Sequence, residues 1–146
     1  MSLLEKIRSL SLQYSALTIE LRRHLHANPE LSYQEFNTAK YVGEQLRAFG
    51  LTPKEGVATT GLTVEIKGRN PDKKSIALRA DMDALPIHEA NDVPYKSKVS
   101  GVMHACGHDV HTSSLLGTAK ILNEIRDHFE GTVRLIFQPG EEKNPG

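Results

Sequence analysis

The sequence predicts an α/β fold, a sheet with covering helices, on three observations. Three stretches carry apolar residues at helical spacing, and three shorter apolar runs read as strands. They follow one another as helix, helix, strand, strand, helix, strand, the succession expected of a sheet with helices packed on it. Two of the strand-like runs end in carboxylates, which puts chemistry where ligands bind in such sheets, off the carboxyl ends of the strands.

From residue 4 to about 26, Leu4, Ile7, Leu10, Leu12, Leu17, Ile19, Leu21 and Leu25 recur with charges between them and predict one helix. Asn28-Pro29 ends it, because proline pushes the preceding residue out of helical geometry. Ser32-Tyr33-Gln34-Glu35 fits a capping box, in which a serine and a glutamate three residues on satisfy the first free amides of a helix. This second helix is expected to run to Phe49, with Gly50 as its left-handed cap.

Leu62-Thr63-Val64-Glu65-Ile66 alternates with period two and predicts a strand with one buried face. Residues 68–74, which hold Asn70-Pro71-Asp72, predict a turn. Ser75-Ile76-Ala77-Leu78 is a nearly continuous apolar run of the kind found inside a sheet covered on both faces, and it feeds into Asp81 and Asp83. Residues 87–101 show neither period and predict an irregular loop over the site. A third helix, from Asp109 or Val110 to His128, carries Leu115, Leu116, Ala119, Leu122 and Ile125, and Gly131 stops it. Residues 132–137 then predict another buried strand, ended by Pro139-Gly140 ahead of Glu141 and Glu142. No internal repeat, low-complexity tract or linker interrupts the chain.

A chain of 146 residues can bury one ordinary core. Its 18 basic and 18 acidic residues cancel and form no block, which argues against nucleic acid and anionic membrane as partners. No run approaches the roughly 18 apolar residues of a membrane span. Residues 1–14 are amphipathic rather than leader-like, so a cytoplasmic protein is expected. The single cysteine cannot form an internal disulfide, and in such a protein it is expected to be buried, catalytic or metal-bound.

Its neighbours point to metal. Met103-His104-Ala105-Cys106-Gly107-His108-Asp109-Val110-His111 places three histidines, the cysteine and an aspartate in nine residues. Gly107 lets the backbone turn so that the Cys106 thiolate and the His108 imidazole can face one ion. Glu141 and Glu142 leave the backbone in different directions, so one can ligate while the other takes a proton from a water, a division that suits hydrolysis. Asp81 and Asp83, two apart, would point the same way if strand geometry continues, and one could accept the ring proton of a ligand histidine. His111 could reach the site, cap the helix or contact substrate. His24 and His26 read as cations complementing the C-terminal dipole of the first helix, and Arg79 as a partner for a carboxylate near the site.

Two other readings stay open. Cys106 could be the nucleophile of a cysteine hydrolase with a histidine as base, although carboxylates around a thiol raise its pKa. Alternatively, the chain could be a non-catalytic binding or assembly module holding metal structurally. A structural zinc site would show four protein ligands, and three good candidates are present in Cys106, His108 and Glu142.

Arg22-Arg23-His24-Leu25-His26 with Asn28-Pro29-Glu30-Leu31-Ser32, Arg79-Ala80-Asp81-Met82-Asp83-Ala84-Leu85-Pro86, the 103–111 run and Phe137-Gln138-Pro139-Gly140-Glu141-Glu142 together resemble one family. It is the metal-dependent amidohydrolases that include hippurate hydrolase, N-acyl-amino-acid deacylases and indole-acetyl-amino-acid hydrolases, related to aminoacylase and zinc carboxypeptidases. The resemblance implies a zinc-exopeptidase-like catalytic domain and two divalent ions, Zn, Mn, Ni or Co, acting on small N-acyl amino acids or peptide-like substrates. It makes Cys106, His108 and Glu142 metal ligands, Glu141 the general base and Asp83 the support of a ligand histidine. Asp81 stands where related enzymes carry a ligand histidine, so its part stays open, as does that of His111. Members of the family are more than twice this length, take two further histidine ligands from downstream, and insert a smaller domain used for dimerisation. The chain ends four residues after Glu142. Residues 1–146 are therefore expected to be the N-terminal portion of the catalytic domain of a homo-oligomeric parent, truncated and inactive alone.

Overall fold

Alternating apolar residues on two neighbouring strands lay down the sheet. The computed structural model describes residues 2–144, which form α1 (Leu3–Gln13), α2 (Ser15–Ala27), α3 (Phe36–Ala48), β1 (Lys54–Val57), β2 (Gly61–Lys67), β3 (Ser75–Asp81), α4 (His108–Glu124) and β4 (Thr132–Gln138). The strand order is β1-β2-β4-β3. Strands β1 and β2, and β2 and β4, run antiparallel, whereas β3 and β4 run parallel. Leu62, Val64 and Ile66 of β2 and Val133, Leu135 and Phe137 of β4 turn inward and pack with Leu115, Leu116 and Ala119 of α4, Val42 and Leu46 of α3 and Leu21 of α2. Each of the Leu, Ile, Val and Phe side chains among them contributes about 1.5–3 kcal/mol when fully buried. The other face carries Glu65 and Arg134, which are exposed and paired with one another.

Among the described residues strand β3 lies at the edge of the sheet, with Ile76 55% and Leu78 37% exposed. Both sit on the core side of the sheet, opposite Val133 and Leu135, but the helices cover only the C-terminal end of the strand, where Ala80 and then Met82 are buried. Strand β1, a short exposed ribbon beside β2, was not anticipated at all.

The single N-terminal helix is in fact two, broken at Tyr14. Ser11 and Thr18 hydroxyls donate to the carbonyls four residues back and Ser15 to the carbonyl of Leu12, bonds that bend a helix. The Tyr14 hydroxyl bonds to Glu124 of α4, and the Lys120 ammonium lies 5.1 Å over its ring. A capping box does occur, at Ser2 and Glu5 of α1. At α3 the expected Ser32/Glu35 box is absent. Glu30 holds the free amides instead, accepting from Asn37 N at 3.2 Å and Thr38 N at 2.7 Å, which releases Ser32 and Glu35 for work elsewhere. Gly50 takes the left-handed backbone expected of it, and residues 68–74 turn through a short 3₁₀ segment, Pro71–Lys73. Helix α4 ends at Glu124, earlier than expected, and a 3₁₀ turn, Arg126–His128, follows it. Residues 87–101 hold neither helix nor strand, as expected, and the bridge between Leu85 and Met103 closes that loop. Among the described residues, no helix is long and apolar enough to cross a membrane.

Candidate metal centre

Because β3 and β4 are parallel, their carboxyl ends open on the same edge. The Met82 amide donates to Gln138 O at 3.0 Å, extending the ladder by one residue, and Asp83 follows it at the edge. The Thr112 hydroxyl of α4 donates to Asp81 O at 2.8 Å and docks the first turns of that helix against the same end. Gly107, at φ 92°, turns the chain into α4, a conformation a side chain would strain. Three separate segments therefore deliver their side chains to one place.

His108 is the hub. Its Nδ1 donates to Asp83, reaching the carbonyl oxygen at 2.9 Å and Oδ1 at 3.2 Å. Its Nε2 faces the opposite way, 3.7 Å from Glu141 Oε2 and 3.8 Å from Glu142 Oε1. Ligand atoms of Cys106, His108 and Glu142 all lie within 4.8 Å of one another. The expected trio thus converges, with Cys106 exposed and His108 buried at its floor. The other Asp83 oxygen accepts from the Ser32 hydroxyl at 2.6 Å and the Glu142 amide at 2.9 Å. Asp83 is therefore shared by an N-terminal segment, the hub and the β4 loop.

The charges follow from these bonds. Burial alone would push the Asp83 carboxyl up, but the hydrogen bonds from His108, Ser32 and Glu142 outweigh it and hold it down at about 2. The bond to Asp83 lifts His108 to about 9, against the opposing effect of burial. The Cys106 thiol is raised, chiefly by its hydrogen bond with Glu142 and by burial, then by the charges of Glu142, Glu141 and Asp81. That shift opposes a free cysteine nucleophile, which needs its thiolate. A divalent ion fits the same donors: thiolate, imidazole and carboxylate are a zinc-type set, and a cation among crowded carboxylates removes their repulsion.

Asp81 and His111 form a looser arrangement with His108, whose ligand atoms also lie within 4.8 Å of one another. Here the Asp81 carboxylate already meets the Arg79 guanidinium at 2.9 Å, the pairing anticipated for Arg79, and His111 stands half exposed 3.5 Å away. A built-in cation makes this the poorer place for a second one.

Several residues around the centre were missed or misread. His26 does not serve a helix dipole. Its Nδ1 faces Asp109 Oδ2 at 2.7 Å and its Nε2 faces Glu89 Oε1 at 3.0 Å, with Arg22 Nε 2.8 Å from the same Asp109 oxygen. Burial would raise Glu89, yet the bonds from His26, Ser97 and Asn91 hold it at about 2. His24 stacks on Tyr41 at 3.8 Å, and burial lowers its pKa. Glu35, fully buried, accepts from the Thr60 hydroxyl and from the Gly140 amide. His104 is buried between the hub and the His26 cluster, and burial lowers it to about 4, keeping the ring neutral. The paired charges of Arg22-Arg23 and Asp109 were the only sequence signal for the His26 cluster, and Glu35 offered none beyond its false capping pattern.

A groove of about 240 Å³, lined by Leu31, Ser32, Gln34, Leu85, Pro86 and Glu142 among others, borders the centre. A larger cavity of about 480 Å³ between α2 and α3 holds none of the converging residues.

Residues 77–146 match the sequence model of Peptidase family M20/M25/M40. Over 142 residues the chain is 48% identical to an N-acyl-L-amino acid amidohydrolase of Geobacillus stearothermophilus, covering 97% of this chain and 38% of that protein. Over 143 residues it is 50% identical to thermostable carboxypeptidase 2 of Saccharolobus solfataricus, covering 97% and 36%. The crystal structure of a dinuclear metal-binding peptidase from Bacillus subtilis superposes with a TM-score of 0.85 at 48% identity, covering 89% of this chain and 36% of that one. The chain thus spans little more than a third of the length of these relatives.

Proposed function

We propose that this chain, whose residues 77–146 match Peptidase family M20/M25/M40, is the ion-holding N-terminal portion of the catalytic domain of an amidohydrolase that cleaves N-acyl amino acids. The observation that carries this reading is the convergence of Cys106, His108 and Glu142 on one point, with Glu141 beside them. Relatives named for N-acyl amino acids and for dinuclear metal binding support the substrate class and the ion.

Cys106, His108 and Glu142 would hold a divalent ion, which supplies Lewis acidity at the amide carbonyl and lowers the pKa of a water. Asp83 keeps the proton on Nδ1 of His108, so that Nε2 presents its lone pair to the site. Glu141, outside the converging trio, takes the proton of the attacking water and hands it to the leaving amine nitrogen. The groove beside Glu142 offers apolar wall from Leu31, Leu85 and Pro86 to one end of the substrate.

Three protein donors leave an open position at one ion, which suits catalysis rather than a structural role. They are too few for two ions. The 146-residue chain by itself is therefore expected to bind metal weakly and turn over no substrate, the remaining ligands and the oligomer contacts belonging to a longer, cytoplasmic parent. The test is hydrolysis of N-acetyl amino acids by that parent. Loss of activity with chelator and recovery with zinc, manganese, nickel or cobalt are expected. Hydrolysis that survives chelator but not a thiol reagent would establish a cysteine nucleophile instead.

A further inference from the structure

Glu141 lies between two amides that the rest of the chain holds in place. On its C-terminal side the Glu142 amide donates to Asp83 Oδ2 at 2.9 Å. On its N-terminal side the Gly140 amide donates to Glu35 Oε1 at 2.8 Å, across 105 residues of sequence. Glu35 is fully buried and makes no side-chain bond to its own helix; its other oxygen accepts from the Thr60 hydroxyl at 2.7 Å.

Sterics reinforce this bond. Gly140 adopts φ 64°, and a Cβ added there would stand 2.5 Å from Cζ of Tyr33. Tyr33 itself takes the left-handed backbone, at φ 63°, which a non-glycine residue adopts at a cost. That conformation lays its ring over the Gly140 α-carbon, two residues before Glu35 takes hold of the Gly140 amide. Ser32, one residue earlier, bonds Asp83. One short segment, residues 32–35, therefore grips both ends of the Glu141-Glu142 turn, directly at Gly140 and through Asp83 at Glu142.

We propose that Glu35 is a positioning residue for the metal centre: through the Gly140 amide it sets the direction in which Glu141 and Glu142 leave the β4 loop. The proposal rests on the ion-site reading above. Its geometric demand is reach, since the carboxylate must span from the start of α3 to both Thr60 and Gly140. Glutamine has that reach, and its amide can accept from Gly140 while donating to the Thr60 hydroxyl. Aspartate keeps the charge but is one methylene too short.

The test uses the 146-residue chain as E35Q, E35D and T60V, with C106A as the control for the ion. Two readouts are taken: hydrogen exchange at the Gly140 and Glu142 amides without metal, and cobalt(II) affinity followed by the thiolate-to-cobalt absorption. E35Q is expected to match the wild type in both. E35D should speed exchange at both amides and weaken cobalt about tenfold, the scale of one buried hydrogen bond. T60V removes the other partner of Glu35 and should lower the melting temperature while leaving both readouts unchanged. Wild-type behaviour of E35D, or a T60V variant that reproduces the E35D losses, would overturn the proposal by reducing Glu35 to general fold support. Absence of a cobalt–thiolate band in the wild type, or its persistence in C106A, would overturn the ion-site reading. In that case the exchange data would still decide whether Glu35 holds the loop.

Discussion

Asp83 lies 3.2 Å, through Oδ1, from Nδ1 of His108, while the far nitrogen of the same ring looks toward Glu141 and Glu142. One imidazole thus has one side fixed by a buried carboxylate and another on which an ion can take the place of a proton.

Weakening that support should weaken the ion. Asp83→Asn is expected to reduce zinc or cobalt affinity about 10- to 100-fold, the usual consequence of removing the carboxylate behind a ligand histidine. Competition against a chromophoric chelator measures it. Unchanged affinity would mean that the His108 ring is held by its neighbours alone.

The same pair sets a pH window for the metal-free chain. His108 titrates near 9 when folded against an ordinary 6.5, so its contribution to stability is complete below 6.5 and is lost as pH rises through 9. Asp83 titrates near 2 against an ordinary 3.8, so its contribution is complete above 3.8 and is lost as pH falls through 2. Thermal midpoints should therefore be highest between those ordinary values and decline on both sides, and Asp83→Asn should flatten both declines. Saturating zinc, which replaces the proton on Nε2, should remove the alkaline decline.

Ligand and base are expected to separate by mutation. In the full-length protein, Glu141→Gln should keep metal content and lose about 10²- to 10⁴-fold in kcat. Cys106→Ala should lose the metal itself, as elemental analysis would show. The reverse pattern would exchange the two roles.

Away from the ion, His26→Ala should be costly. It leaves the buried Asp109 and Glu89 carboxylates without the imidazole between them, a loss of about 3–5 kcal/mol in chemical denaturation. A loss below about 1 kcal/mol would show that Arg22 alone neutralises the cluster.

What the sequence made legible was local. Strands β2 and β4 and helix α4 were evident because their apolar residues form periodic or continuous runs, and the convergence of Cys106, His108 and Glu142 because they sit at strand and helix ends that a parallel pair brings to one edge. Strand β1 escaped because Lys-Glu-Gly-Val has no apolar alternation. Ser32 and Glu35 imitated a capping box, a pattern indifferent to Asp83 and Gly140, 51 and 105 residues further on. His26 was misread for the same reason, since its partner Asp109 lies 83 residues away.

The central claim is that Cys106, His108 and Glu142 share one ion, and X-ray absorption at the zinc edge of the zinc-loaded chain tests it most directly. One sulfur at about 2.3 Å with nitrogen and oxygen at about 2.0–2.2 Å is expected, the sulfur disappearing in Cys106→Ala. A shell of nitrogen and oxygen alone in the wild type would contradict the account.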